Sequence, residues 1–384
     1  MNRYLDAAAT APLRPEALAA MVAVLEAGPA NPSSVHAPGH RARVVVDEAR
    51  DTVAAALGAR ANEVVFTSGG TEANNLAIIG AALARPRGRH IVTTPIEHPS
   101  VLESCDYLAR MFGFEIELLP VDADGVVHPA AVEAAVRADT TLVSVGLANA
   151  EIGTVQPIVE IAAAARAHGA LVHTDAVQAA AALPVSFSDD AGSGWPGGAV
   201  DAMTVASHKF GGPQGAGALL VRSSIALEPL LHGGGQERGL RSGTHNVPAL
   251  AGFAAAVRAG RAAIGTHALA LLRSRDALIA RVVAELPGAR LTGHPEERLP
   301  GHASFVVAGR SGESMLVALD AAGFAVSSGS ACAAGEDEPS PALLALGMDP
   351  VLAQTAIRFT LDDAIDVADV DRIVAVLQRE VIGR

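Results

Sequence analysis

The chain has 384 residues, of which 28 are basic and 41 are acidic, giving a formal net charge of −13. Such an acidic chain repels nucleic acid and anionic membranes. The first residues, MNRYLDAAATAPLRPEAL, lack the apolar run of a signal peptide, and no charge-free apolar stretch reaches the roughly 18 residues of a spanning helix. We therefore expect a cytoplasmic protein that binds neither nucleic acid nor membrane.

Helical patterns alternate with short apolar runs between residues 35 and 222. This alternation predicts an α/β fold with a mainly parallel, seven-stranded sheet covered by helices, whose ligand lies beyond the carboxyl ends of the strands. The predicted helices are 40–57, 71–84, 99–112, 129–138 and 158–168. The predicted strands are 63–66, 90–93, 115–118, 142–145, 170–174, 202–205 and 217–221.

A second unit follows a glycine-rich stretch at 233–243. We predict a large domain over 13–250 and a smaller α+β domain formed by 1–12 and 251–384, with loops at 188–199 and 327–341. The predicted elements of the second unit are 248–286, 302–307, 312–322, 324–327, 357–360 and 368–382.

The two cysteines, Cys105 and Cys332, are too few for a disulfide framework, and no spacing of cysteine or histidine indicates a metal site. Cys105 falls within a helical pattern and is predicted to be buried. Cys332 lies among small residues of the 327–341 loop, where an exposed thiol that deprotonates is a nucleophile. The alternative is an incidental loop cysteine.

Of the 28 basic residues, 27 are arginine, and Lys209 is the single lysine. A guanidinium stays protonated, so arginine cannot replace lysine as an amine nucleophile. Lys209 follows a predicted strand in the run Ser207-His208-Lys209, where a sheet of this kind binds its ligand. The position favours a functional amine, although codon bias alone can also leave one lysine behind.

A glycine turn, Thr67-Ser68-Gly69-Gly70-Thr71-Glu72, joins the first predicted strand to a helix. Backbone N–H groups and a hydroxyl at a helix start form an anion site, and phosphate is its usual occupant. The alternative is that Thr71 and Glu72 only cap the helix.

Asp175 and Gln178 come directly after the predicted strand 170–174. A carboxylate at a strand end can hold a cationic ring nitrogen in its protonated form. Asp175 could equally cap the segment that follows.

Taken together, a phosphate site, an acid for a ring nitrogen and one amine are what pyridoxal phosphate requires, the amine holding its aldehyde as a Schiff base. His98 follows the strand 90–93, where an imidazole could stack on such a ring and move protons. Arg358 lies within an apolar strand pattern and needs an anionic partner, either a substrate carboxylate or an internal one.

The chain closely resembles the cysteine desulfurases, pyridoxal phosphate enzymes of the class V aminotransferase group and of fold type I. The resemblance covers nearly the whole chain in family order. The matching stretches are YLDAAATAP (4–12), NPSSVH (31–36), FTSGGTEANNLAI (66–78), EHPSV (97–101), NAEIGTVQPI (149–158), HTDAVQAA (173–180), SHKFGGPQGAGALL (207–220), GGGQERGLRSGTHN (233–246), SSGSACAAG (327–335) and IRFTL (357–361).

The resemblance implies a role for each of these residues. Lys209 would carry the cofactor, Asp175 would pair with its ring nitrogen, Gln178 and Asn149 would bond its ring hydroxyl, and His98 would stack on the ring and take part in catalysis. The phosphate would be held by Gly70, Thr71, Ser207, His208 and, from the other subunit of a homodimer, Thr244.

The resemblance also implies the reaction. Arg358, with Asn149, would bind the carboxylate end of L-cysteine. Cys332 would attack the substrate sulfur, so that L-alanine leaves and a persulfide is handed to an acceptor protein, such as an iron–sulfur cluster assembly scaffold or a thiolation enzyme. A selenocysteine lyase, another class V enzyme such as an aminotransferase, and a non-catalytic sulfur-carrier scaffold are the alternatives.

Three departures from the family pattern bear on these expectations. Ala150 stands where the family often has a second asparagine, and Ala206 stands where a serine is common, with Ser207 at a usual glycine position. The chain also ends at Arg384, whereas housekeeping members of the family extend further to dock an iron–sulfur scaffold. Docking of that scaffold is therefore not expected to use such a tail here.

Overall fold

The structure is a computed structural model that describes residues 3–188, 195–328 and 339–383. Its first half contains β1 (Arg3–Tyr4), α1 (Pro15–Glu26), α2 (Ala37–Leu57), β2 (Val64–Thr67), α3 (Gly70–Asn75), α4 (Ala81–Ala84), β3 (His90–Thr93), α5 (Pro99–Phe112), β4 (Glu115–Leu118), α6 (Pro129–Ala135), β5 (Thr140–Ser144), α7 (Ile158–Ala167) and β6 (Leu171–Asp175). Its second half contains β7 (Val185–Ser186), β8 (Trp195–Pro196), β9 (Ala202–Ala206), β10 (Gly217–Val221), α8 (Val247–Glu285), β11 (Ala289–Leu291), β12 (His302–Val307), α9 (Gly312–Ala321), β13 (Phe324–Ala325), β14 (Ser327–Ser328), α10 (Pro341–Ala345), α11 (Pro350–Ala353), β15 (Ala356–Thr360) and α12 (Val367–Ile382).

The large sheet has seven strands in the order β2-β10-β9-β6-β5-β3-β4. Its strands run parallel except β10, which is antiparallel to both β2 and β9. Most of these strands are runs of Val, Ile, Leu and Ala buried on both faces, as expected for a sheet covered by helices. The predicted α/β fold with a mainly parallel, seven-stranded sheet is confirmed.

Two predicted helices differ from those observed. The helix predicted over 71–84 is interrupted by a π-helical stretch, Leu76–Gly80, all of it buried. The helix predicted over 129–138 ends at Ala135, because Val136 is extended and the backbone N–H of Arg137 donates to Thr140 Oγ1 at 2.8 Å. Such a turn replaces the next helical hydrogen bonds.

The second sheet has four strands in the order β11-β12-β15-β14, all antiparallel neighbours. Its core is a hydrophobic cluster separate from that of the large sheet and includes Leu5, Phe305, Phe324, Phe359 and Ile373. A seven-stranded and a four-stranded sheet with separate hydrophobic cores agree with two structural units, and the predicted domain boundaries themselves stay a prediction.

The long helix α8 joins the two units. Its residues Val247–Val257 contribute to the large cluster, and Leu271, Leu278 and Val282 contribute to the second. By length and composition α8 could cross a membrane, but 56% of its most apolar window is buried in the fold, as in the core helix of a soluble domain.

The N-terminal segment runs between the two sheets. Strand β1 pairs in parallel with β13. The backbone N–H groups of Ala7 and Ala8 donate to the carbonyl and the hydroxyl of Thr360, at 3.0 and 2.8 Å. The hydrogen bonds of Ala7 and Ala8 to β15, the last strand, bring this segment to the carboxyl ends of the large sheet, where Ala8 and Ala9 line the cavity described below.

Candidate active site

A cavity of about 430 Å³ lies beyond the carboxyl ends of β2, β3, β5, β6 and β9 and reaches β15 of the second sheet. Ligands of open α/β sheets bind at this edge. Nine of the predicted site residues line the cavity, namely Gly70, Thr71, His98, Asn149, Asp175, Gln178, His208, Lys209 and Arg358. Cys332 lies outside the described residues.

Lys209 closes the turn that follows β9 and is half-buried at the cavity. Its Nζ donates to the carbonyl of Ala8, and to that of Ala9 at 2.9 Å. The N-terminal segment therefore borders the space in front of this amine.

Asp175 is the last residue of β6. Its Oδ1 accepts from the backbone N–H of Val177 at 2.9 Å, and its Oδ2 accepts from Asn74 Nδ2 at 2.6 Å. Both donors are neutral, so these two bonds orient the carboxylate without cancelling its charge. A carboxylate held in this way suits a cationic ring nitrogen.

His98 lies at the start of α5, where its Nδ1 accepts from the backbone N–H of Ser100 at 3.1 Å and caps the helix. Burial lowers the pKa of His98 below its usual range; the charge of Asp175 opposes this change, and the Lys209 ammonium adds to it. The imidazole that faces the cavity is therefore neutral at neutral pH.

The first turn of α3 brings Gly70 and Thr71 to the cavity wall. A Cβ on Gly70 would lie 2.9 Å from Val177 Cγ2, so only glycine permits this close approach. Glu72 accepts from the backbone N–H of Ser68 at 2.9 Å, as the capping alternative expects, and from Arg241 Nε at 2.9 Å.

Gln178 and His208 flank the lysine. Gln178 Nε2 donates to the Ala8 carbonyl at 3.0 Å, and His208 Nδ1 lies 3.2 Å from Thr10 Oγ1. Burial, with the neighbouring Lys209 charge, lowers the pKa of His208 to about 4. His208 is therefore a neutral hydrogen-bonding group at the cavity.

The amide of Asn149 is largely committed to its own loop. Its Oδ1 accepts from the backbone N–H groups of Glu151 and Ile152, at 2.8 and 3.0 Å, and its Nδ2 donates to the Ile96 carbonyl at 2.7 Å. One Nδ2 hydrogen is left for the predicted bond to a cofactor hydroxyl or a substrate.

Two predicted phosphate ligands do not line the cavity. Ser207 is buried, and its Oγ has no hydrogen-bond partner among the described residues, whereas the adjacent Ala206 forms the cavity wall. Thr244 is exposed on the loop before α8. An exposed position is compatible with the prediction that Thr244 serves a second subunit.

Arg358 enters the cavity from β15 and is only 2% exposed. Its Nη2 pairs with Asp6 Oδ1 at 2.8 Å, and its Nη1 donates to the Ala150 carbonyl at 3.1 Å. Its Nε has no hydrogen-bond partner within the described part of the chain. The internal carboxylate left open by the sequence is therefore Asp6, and a substrate carboxylate at this guanidinium would have to compete with it.

Sequence reasoning missed several polar residues of this site, among them Asp6, Asn74 and Glu97. Glu97 accepts from Thr94 Oγ1 at 2.8 Å and from the backbone N–H of Gly146 at 2.9 Å, and burial raises its pKa to about 7. The available signals were Asn74 in a helical pattern that continues into an apolar run, and Glu97 directly before His98. Asp6 gave no local signal, because its partner is 352 residues away.

Cys105 lies on α5 and is buried as predicted, and burial raises the pKa of its thiol to about 12. Among residues 3–188, 195–328 and 339–383, no group of three His, Cys, Asp or Glu side chains could hold a metal ion.

A mainly parallel sheet that delivers an amine, a carboxylate and a neutral imidazole to one cavity defines an α/β enzyme. The family model for class V aminotransferases matches residues 3–373. The cysteine desulfurase IscS of Dictyoglomus turgidum is 42% identical over 377 residues, which are 98% of this chain and 93% of that protein. The IscS-like cysteine desulfurase of Mycobacterium tuberculosis is 43% identical over 381 residues, 97% of this chain and 95% of the relative.

Solved structures agree with this assignment. A NifS-like protein superposes with a TM-score of 0.89 at 34% identity, covering 99% of both chains. A structure described as SspA in complex with cysteine superposes with a TM-score of 0.79 at 31% identity, covering 95% of this chain and 100% of SspA. The chain belongs to the class V aminotransferase family and, within it, to the cysteine desulfurases. The expected fold and family are confirmed.

Proposed function

We propose that this chain is a pyridoxal 5′-phosphate-dependent cysteine desulfurase that converts L-cysteine to L-alanine and retains the sulfur as a persulfide on Cys332. The observation that carries the proposal is that the single lysine of the chain lines the same cavity as Asp175 and His98. The complex of SspA with cysteine supports the choice of substrate.

The residues present fit the cofactor. Lys209 would bind it covalently, Asp175 would pair with its ring nitrogen, and Gln178 would face its ring hydroxyl. Gly70 and Thr71 line the cavity at the start of α3, where backbone N–H groups favour an anion such as a phosphate. The phosphate ligands in this proposal are Gly70, Thr71 and His208, with Thr244 supplied by the partner subunit of a homodimer; Ser207, whose hydroxyl is buried outside the cavity, is not assigned this role.

Pyridoxal 5′-phosphate, when bound, supplies an electron sink that makes the α-hydrogen of an amino acid acidic. The protein's part is to orient the substrate and to move protons. Arg358 binds the substrate carboxylate in competition with Asp6, and the amine of Lys209 takes the α-proton. Arg358 is 2% exposed, so water screens its attraction for a carboxylate only weakly.

Cys332 completes the reaction as the sulfur acceptor. Its sulfur bonds to the substrate sulfur as the bond from that sulfur to the substrate β-carbon breaks, and the carbon skeleton takes up protons and leaves as alanine. The balance is one enzyme thiol plus cysteine giving one enzyme persulfide plus alanine. The proposal includes a cytoplasmic location and transfer of the persulfide sulfur to an acceptor protein, such as an iron–sulfur cluster scaffold or a thiolation enzyme.

The test is a single-turnover assay of purified protein loaded with cofactor, with alanine and protein persulfide measured together. Wild type is expected to form both in equal amounts. Cys332→Ser is expected to form no persulfide, whereas Cys105→Ser is the matched control and is expected to keep both products, because Cys105 is buried. Full-rate alanine and sulfide release by Cys332→Ser would refute the assigned acceptor, and amino transfer to an added keto acid without sulfur release would refute desulfuration.

A further inference from the structure

We propose that Asn74 is a positioning residue that, through Ser100, holds His98 as the neutral tautomer with its proton on Nε2, while it also orients Asp175. The inference rests on the proposed function, because His98 and Asp175 are the groups expected to face the cofactor. Asn74 is 1% exposed and lies on α3, one turn after Gly70.

The tautomer of His98 follows from a backbone contact. The N–H of Ser100 points at His98 Nδ1 with a nitrogen–nitrogen distance of 3.1 Å. A backbone N–H can only donate, so Nδ1 must carry a lone pair. A neutral imidazole with its lone pair on Nδ1 has its hydrogen on Nε2.

The Ser100 hydroxyl extends this contact to Asn74. Ser100 Oγ lies 2.7 Å from His98 Nδ1 and 2.9 Å from Asn74 Nδ2. The amide nitrogen of Asn74 donates to Ser100 Oγ, which turns the hydroxyl hydrogen toward Nδ1. The backbone N–H and the hydroxyl of Ser100 thus both point at His98 Nδ1. A hydrogen on Nδ1 would face these two donor hydrogens, which disfavours protonation of that atom.

Asp175 fixes which way the Asn74 amide points. Asn74 Nδ2 lies 2.6 Å from Asp175 Oδ2, and a carboxylate oxygen accepts, so the nitrogen rather than the oxygen of the amide faces it. One NH₂ group therefore donates one hydrogen to Asp175 and the other to Ser100. Asn74 Oδ1 is buried without a hydrogen-bond partner among the described residues, so the amide gains nothing from the opposite orientation.

The consequence for the site is that His98 and Lys209 have different roles. With Nδ1 occupied, His98 presents Nε2–H to the cavity as a hydrogen-bond donor and cannot accept a proton there. The charged groups that face it are Asp175 and Lys209, with the buried Glu97 next to it in the chain. Proton abstraction is left to Lys209, and His98 stays uncharged beside that amine.

The experiment is ¹⁵N NMR of histidine-labelled holoenzyme, with the His98 resonances assigned by their loss in His98→Gln. Wild type is expected to show Nδ1 unprotonated and Nε2 protonated. In Asn74→Ala we expect a mixture of ring protonation states, with kcat reduced about tenfold and KM for cysteine changed less than about twofold.

Asn75→Ala is the matched control, since Asn75 is the next residue of α3 and its exposed amide only donates to the Thr71 carbonyl at 2.9 Å. It should retain wild-type shifts and rates. If Asn74→Ala does not fold, Ser100→Ala tests the same step, because it removes the hydroxyl and keeps the backbone donor; it should give partial loss of the tautomer.

A protonated Nδ1 in wild type, or unchanged shifts in both variants, would overturn the inference. The NMR readout needs no turnover. If no alanine forms although the expected tautomer is seen, the proposed function fails and the positioning role stands.

Discussion

Asp175 and Arg358 bring opposite charges to one cavity from two different sheets, and they differ in what balances them. Asp175, at the end of β6, accepts hydrogen bonds from two neutral groups, Val177 N–H and the Asn74 amide. Arg358, on β15, is already paired with the Asp6 carboxylate. The large sheet thus presents a carboxylate without a charged hydrogen-bond partner among the described residues, and the second sheet presents a guanidinium that is already paired with a carboxylate.

The largest effect is expected at Lys209, in the part of the cavity that the large sheet forms. Lys209→Ala should lower alanine formation at least about a thousandfold and abolish the visible absorbance of bound cofactor, because no other lysine exists to replace the amine. Lys209→Arg is the matched control for charge, and it should fail equally, since a guanidinium is not a nucleophile. Substantial activity in Lys209→Arg would mean that the charge rather than the amine is needed.

The next largest effect is expected at the pair of Asp6 and Arg358. Asp6→Asn leaves the buried Arg358 without its anion, and we expect it to lower the free energy of unfolding by about 2–3 kcal/mol, less than for a fully buried pair because the Asp6 side chain is 20% exposed. Cysteine should stabilise this variant more than wild type, and KM should fall, because the substrate carboxylate no longer competes with Asp6. Chemical denaturation with and without cysteine measures the stabilisation, and initial rates of alanine formation measure KM.

The control for this pair is Asp47→Asn, which removes an exposed partner of Arg43 at 3.4 Å and should change stability by less than about 0.5 kcal/mol. An Asp6→Asn variant with wild-type stability and a raised KM would show that Asp6 orients Arg358 for the substrate instead of competing with it.

A smaller, pH-dependent effect is expected at Glu97, which precedes His98 in the chain and lines the cavity. Burial raises the pKa of Glu97 to about 7, so the folded state holds a proton that the unfolded state has lost. Its contribution to stability is present below the unfolded pKa and is lost as pH rises toward 7. Glu97→Gln keeps the neutral form, and we expect it to raise the free energy of unfolding by about 2 kcal/mol at pH 8 and by much less at pH 5.

The exposed Glu103 on the following helix, α5, is the control for charge alone, and Glu103→Gln should be within about 0.5 kcal/mol of wild type at both pH values. If the stability of Glu97→Gln relative to wild type does not change between pH 5 and pH 8, Glu97 is already ionised in the fold at pH 5.

The smallest effect is expected at Ser207, whose hydroxyl is buried away from the cavity. Ser207→Ala should change stability by less than about 0.5 kcal/mol and cofactor affinity by less than about twofold, since no hydrogen bond among the described residues is lost. Thr71→Ala, on the cavity wall, should weaken cofactor retention by about tenfold. A tenfold loss of cofactor affinity in Ser207→Ala, measured by cofactor release on dialysis, would show that Ser207 binds the phosphate.

The parts predicted from sequence are those with a local signal. The helix over 99–112 and the strand over 217–221 were predicted to the residue, because Pro and Gly bound the first and an unbroken apolar run forms the second. Helix α1 was not predicted, since Ala17 is its one buried residue and its sequence has no regular polar face. The Asp6–Arg358 pair was out of reach, because 352 residues separate its members and only tertiary structure joins them.

The pairing of Ala7 and Ala8 with Thr360 sets an order of events during protein synthesis. The carbonyls that contact Lys209 are carried by a segment whose hydrogen-bond partners are translated last. All seven strands of the large sheet lie within residues 64–221, whereas the surroundings of the Lys209 amine are complete only once Thr360 has been synthesised. Completion of the cavity around this amine is thereby deferred until nearly all of the polypeptide has been synthesised.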